Sequence, residues 1–260
     1  MEHTTKDILS KILVDNTFLL GYRGSIAHNM YVPKTNPNST DDIDMMGVFF
    51  APVDHYIGII RQKETVKRFI GRWDVVNYEF LKFVKLLTKS NPNVLSLLWL
   101  KDSHYIEKTA AGERLIANRD LFVSKKIYYS FTRYAYAQLK KMEKNSFEGY
   151  MGEKRKALVE KFGYDCKNAA HCIRLLKMGI EFLVEGRLNV FRKDASMLID
   201  IKTGQWPLKE VKRKAKDLFK LADEAYVKTS LPSEPKYDEI NKMVVEIMKQ
   251  YICGKGGCCV

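Results

Sequence analysis

The sequence predicts an α+β protein, and two observations carry that reading. In the first hundred residues, short apolar runs bounded by turn residues alternate with helix-like stretches: "NTFLLGY", "DIDMMGVFF", "KETVKRFIG" and "RWDVVNYEF" all read as strands. Beyond about residue 120 the apolar spacing is helical almost throughout. No repeat or low-complexity linker separates the halves, so they are expected to pack on each other.

Taken in order, residues 4–15 read as an amphipathic helix capped by Thr4 and Thr5, with Ile8, Ile12 and Leu13 on one face. "NTFLLGY" reads as a buried strand ending at Gly21 to Gly24, residues 42–50 as a second strand, and 63–71 and 72–80 as two more around a turn at Gly71. From Tyr78 the period lengthens, placing Phe80, Phe83, Val84 and Leu87 on one side of a helix that stops before Asn91-Pro92, since the residue before proline avoids helical dihedrals. Further helices are expected at roughly 124–143, 165–186, 194–202, 207–228 and 236–251, with "KNSFEGYMGEKRK" (144–156) as a loop. The chain thus divides into 1–120, a helical 121–252 and a tail, 253–260, expected to be disordered.

With 260 residues, 46% of them hydrophobic, the chain can fill a sizeable core. No apolar run of about 18 residues and no signal-like leader is present, which points to a cytoplasmic protein without a membrane partner. Five cysteines, none before Cys166, suit reduced thiols rather than a disulfide scaffold, and the "CGKGGCCV" end matches no zinc or lipidation pattern. A formal charge of +13 and a sequence pI near 9.4 favour a polyanionic partner, nucleic acid or nucleotide, although a well-solvated basic surface has the same composition. Oligomeric state is not encoded in any of these features.

The chemistry concentrates in "GYRGSIAHNMYVPKTNPNSTDDIDMMGVFF", residues 21–50. Along a strand, residues two apart share a side, so Asp42 and Asp44 project together while Ile43 and Met45 point into the core. Two adjacent carboxylates repel unless a cation lies between them, and hard oxygen ligands at this spacing suit Mg²⁺, or Mn²⁺ in its place, shared with phosphate. The Gly24-Ser25 turn can hold that phosphate, because glycine lets the backbone approach and Ser25 adds a hydroxyl. Alone, the pair also reads as a turn terminus followed by a surface residue.

Strand, Gly-Ser turn, polar loop and D-h-D together resemble the signature of the DNA-polymerase-β-like nucleotidyltransferase superfamily. "DVVNYEFLKFVKLLTKSNPNVLSLLW" (74–99) and "YDCKNAAHCIRLLKMGIEFLVEG" (164–186) resemble blocks of predicted bacterial and phage nucleotidyltransferases, some of them RNA-ligase-associated. The resemblance implies a mixed-sheet catalytic domain followed by a helical one, and transfer of a nucleoside monophosphate from an NTP to an acceptor hydroxyl. It implies Asp42 and Asp44 as the metal-binding pair, Asp74 as the third metal-binding carboxylate with Glu79 as its rival, and Gly24 and Ser25 as the phosphate turn. The acceptor it suggests is an RNA end, as in tRNA processing or RNA repair; a protein or small-molecule acceptor, or a silent nucleic-acid-binding module, are the alternatives. Ile26, His28, Ser96 and a long loop from Val32 to Asp41 depart from the relatives' pattern and bear on which nucleotide and acceptor fit.

Two helical stripes complete the candidates. Lys167, His171 and Arg174 share one narrow stripe opposite a core face of Ala169, Cys172, Ile173, Leu176, Ile180 and Leu183. That polar stripe is expected to face outward, either to solvent or to the cleft, where it would bind nucleotide phosphates. Tyr128, Tyr129, Phe131, Tyr134 and Tyr136 read either as core or as a base-stacking surface.

Overall fold

A computed structural model describes residues 11–39, 41–143 and 153–256. Its elements are β1 (Thr17–Tyr22), α1 (Gly24–Ala27), β2 (Ile43–Phe49), α2 (Val53–Ile57), β3 (Thr65–Ile70), β4 (Trp73–Glu79), α3 (Phe80–Thr88), α4 (Pro92–Ser96), β5 (Tyr105–Lys108), α5 (Ala110–Ala117), α6 (Lys126–Glu143), α7 (Glu153–Phe162), α8 (Cys166–Glu185), α9 (Ala195–Lys202), α10 (Leu208–Lys228) and α11 (Tyr237–Gly256). The five strands form one mixed sheet in the order β3-β4-β2-β1-β5, with β2 and β4 parallel and the other pairs antiparallel.

Both faces of the sheet centre are covered, which is why β1 and β2 read as nearly continuous apolar runs. Met46, Val48 and Val76 point into a large core, while Leu20, Met45 and Val75 point the other way onto Ile12. The large core continues without a break into the helical half. Trp99 meets Phe182 edge-on with ring centroids 6.0 Å apart, and Phe50 stacks on Tyr251 at 4.3 Å. At the centre of the helical half, α8 packs against α6, α9 and α10.

Several expectations are corrected. The N-terminal helix lies outside the described residues apart from Lys11 and Ile12, and Leu13 and Val14 are already non-helical. Of the 144–156 segment, the part from Glu153 onward is not loop but the start of α7, whose single buried apolar residue, Val159, gives it little amphipathic signal. Helix α11 runs on through Cys253 to Gly256, so the tail expected to be disordered is helical that far. Cys166 and Cys172 are free, buried thiols. Among the described residues, no helix is long and apolar enough to cross a membrane.

Candidate active site

The site grows out of strand register. Tyr22 pairs with Met45 across β1 and β2, so the next residue, Arg23, lies beside Asp44, and its backbone N–H donates to the Asp44 carbonyl at 2.9 Å. Asp44 pairs with Asp74 across the parallel β2/β4 ladder, and Asp74 pairs with Phe69 across the β3/β4 hairpin. Register partners share a face, so Arg23, Asp44, Asp74 and Phe69 form one row across four strand positions. Arg23 Nη2 lies 2.8 Å from Asp74 Oδ2 and 3.5 Å from Asp44 Oδ1, bridging the two carboxylates. Burial raises the Asp44 pKa against the pull of Arg23 and Lys167, and Asp74 and Asp41 add to the rise.

The chain after Arg23 turns at Gly24, whose φ of +61° is left-handed. A Cβ at this position would lie 2.2 Å from Asp44 Oδ2, so the absence of a side chain lets the turn close against the carboxylate. Ser25 follows, with a buried Oγ that has no hydrogen-bond partner among the described residues. An orphaned hydroxyl beside a backbone turn and two carboxylates is suited to a ligand oxygen.

Asp42 does not converge fully with the other two. Its Oδ1 is 3.3 Å from Lys34 Nζ. Among the described residues, no three His, Cys, Asp or Glu side chains are gathered as a ready-made metal cage. The donor set fits a hard divalent cation, two carboxylates side by side and a third two residues away, provided that Arg23 and Lys34 release them. Glu79, the rival for the third position, is engaged elsewhere: it caps α3 by accepting from the Leu81 and Lys82 N–H groups and takes a hydrogen bond from the Tyr56 hydroxyl at 2.7 Å.

The long polar loop is pinned from inside. Asp41, 1% exposed, accepts from Val32 N at 2.9 Å and is paired with buried Lys202, whose Nζ also donates to the Met30 carbonyl at 3.0 Å. Ser39 Oγ donates to the Val32 carbonyl at 2.6 Å, closing the loop on itself. Lys202 and Arg23 were not singled out by the sequence: a lone lysine ending an apolar helix, or an arginine after a strand, carries no signal until register places it.

Within the α8 stripe Arg174 does not face outward, which corrects the reading of spacing alone for that residue, while Lys167 and His171 stay partly exposed. Arg174 is 6% exposed, and its Nη1 donates to His28 Nε2 at 2.5 Å. The Nδ1–H of His28 then donates to the Val190 carbonyl at 2.9 Å. Lys167 Nζ lies 3.8 Å from Asp41 Oδ1, turned toward the carboxylates. Burial holds His28 and His171 well below the usual histidine range, with Arg174 deepening both, while burial and Arg192 bring Arg174 down to about 9, so it remains charged at neutral pH. Spacing separated two faces of α8 correctly but could not tell that the polar one is covered at Arg174 by the turn. The aromatic series of α6 is split: Phe131 is buried, Tyr128 stacks on Tyr226 at 4.4 Å, and Tyr129, Tyr134 and Tyr136 are exposed.

Mixed sheet, helical second half and paired carboxylates beside a glycine turn define a polymerase-β-like nucleotidyltransferase. The model of RlaP, the RNA repair pathway DNA polymerase beta family, matches residues 36–246, and the chain belongs to that family. Comparison with curated proteins returns no match. A nucleotidyltransferase-like protein from Exiguobacterium sibiricum 255-15 aligns over 96% of this chain and 80% of its own, at 11% identity and a TM-score of 0.34, a likeness too distant to carry argument.

Proposed function

We propose that the protein transfers a nucleoside monophosphate from a nucleoside triphosphate to an acceptor hydroxyl at an RNA end. The observation that carries this is the register of Asp44 with Asp74 and the pressing of the Gly24 turn onto the first of them. The acceptor oxygen attacks the α-phosphorus, its proton passes to Asp74, and the bond to the leaving pyrophosphate breaks. Such chemistry is mainly positioning and charge neutralisation. Mg²⁺ or Mn²⁺ held by Asp42, Asp44 and Asp74 would supply that neutralisation and acidify the attacking hydroxyl. Arg23 and Lys34 act as stand-in counterions that keep the carboxylates apart from one another's charge until a cation displaces them.

Gly24 and Ser25 bind the departing phosphates, Ser25 with its orphaned hydroxyl. Within the α8 stripe, Lys167 is the cation that reaches phosphate directly. Arg174 works from behind through His28, which ends the turn, and His171 lies between the two on the same stripe. The net charge of +13 and the family's description as part of an RNA repair pathway favour RNA as acceptor.

The test is incubation with each labelled NTP, Mg²⁺ and either total RNA or total protein. Label should enter RNA, and Asp44→Asn and Asp74→Asn should each abolish it while leaving the fold intact. Label on protein would redirect the acceptor, and equal labelling by the variants would sink the site.

A further inference from the structure

Phe69 is the unexplained member of the row that crosses the sheet. It is 68% exposed, on edge strand β3, directly opposite Asp74 and on the same face. With strands about 4.8 Å apart, its ring is rooted roughly one strand spacing from Asp74 and two from Asp44. Lys67, two residues earlier and therefore on the same face, is also exposed. Ile57, Ile59 and Ile60 are exposed as well, but they precede the opposite end of β3, where Thr65 pairs with Tyr78.

The order along the row assigns sides. The Gly24 turn and Arg23 stand on the β1 side of the carboxylates, and Phe69 stands beyond them on the β3 side. In phosphoryl transfer the attacking and leaving oxygens lie roughly in line. If pyrophosphate departs toward the turn, the acceptor approaches from the side of Phe69. We infer that Phe69 is the platform on which the terminal base of a single-stranded RNA acceptor stacks, with Lys67 on the adjoining backbone phosphate. This rests on the proposed function and assigns the acceptor a place within the same site. An aromatic face suits any base, and a neighbouring cation follows the backbone, so the contact is tolerant of sequence.

The probe is a short single-stranded oligoribonucleotide ending in a 3′ 2-aminopurine, whose fluorescence is quenched on stacking, titrated into the full chain without metal or triphosphate. Quenching should be seen with wild type and Phe69→Tyr and be lost with Phe69→Ala. In transfer assays, Phe69→Ala should raise the RNA KM roughly tenfold or more, within the range that base stacking supplies, with the NTP KM unchanged. Lys67→Ala should weaken oligonucleotide binding and flatten its salt dependence. If wild type labels RNA and Phe69→Ala keeps its RNA KM and quenching, the platform assignment is overturned while the proposed function stands. If wild type labels only protein or small molecules, both fall. A wild-type dimer that Phe69→Ala converts to monomer, with RNA binding unchanged, overturns the inference in favour of edge-strand pairing.

Discussion

Replacing Gly24 by alanine separates two effects that a glycine in a site usually confounds. The first is backbone strain: an L-residue at φ +61° costs about 1 to 2 kcal/mol. For a chain of this size that is a fall in Tm of roughly 2 to 8 °C. The second is steric. The new Cβ would stand 2.2 Å from Asp44 Oδ2, where ordinary contact begins at 3.4 Å, so the carboxylate has to retreat by about 1 Å. A displacement of that size in a reacting constellation costs on the order of a hundredfold in rate. Gly163 is the control, because its φ is +75° yet none of the described residues lies within 4 Å of its would-be Cβ. Gly24→Ala and Gly163→Ala should therefore melt at similar temperatures, while only the former loses nucleotidyl transfer, measured as kcat/KM for the NTP. Equal activity in the two variants would refute the role given to the Gly24–Asp44 contact.

Two further outcomes follow from the same geometry. Ser25→Ala removes a buried hydroxyl that has no partner among the described residues, so Tm should hold or rise slightly while the triphosphate KM increases about tenfold and kcat changes little; an unchanged KM would remove Ser25 from the phosphate site. His28 and His171 both have folded pKa values depressed below 6.5, so the unfolded chain binds more protons and the stability they contribute above that pH is lost as pH falls below it. Thermal melts from pH 7 down to about 5 should show that decline, and His28→Gln, which keeps an acceptor for Arg174, should make it shallower; a flat wild-type profile would count against neutral His28 and His171.

Much of this was legible in the chain. The strands 17–22, 43–49, 65–70 and 73–79 announce themselves because β-branched and aromatic residues run between turn residues, and α3 does so through Phe80, Phe83, Val84 and Leu87. Asp42 and Asp44 could be nominated because two carboxylates side by side on an apolar strand need a cation, whereas Asp74 came only from the resemblance to the polymerase-β-like superfamily. Helices α2 and α4 and strand β5 are four or five residues long, too short for a period to show. The Asp41–Lys202 pair joins residues 161 apart and the Arg174–His28 contact residues 146 apart, and no local pattern encodes such meetings. Phe69 passed as an ordinary strand residue, since its importance comes from the partner that register gives it.

The core that runs unbroken from the sheet into the helices also decides how the site can be reached. One side of α8, with Ala169, Cys172, Ile173 and Leu176, is buried in that core, and another holds His28 behind the glycine turn through Arg174. The first 120 residues are therefore no portable cassette: cut loose, they would leave Trp99 without Phe182, Phe50 without Tyr251 and the turn without a backing. The dependence also runs outward. Any shift of α8 against its neighbours is therefore passed to the carboxylate edge of the sheet, through Lys167 beside Asp41 and Arg174 behind His28.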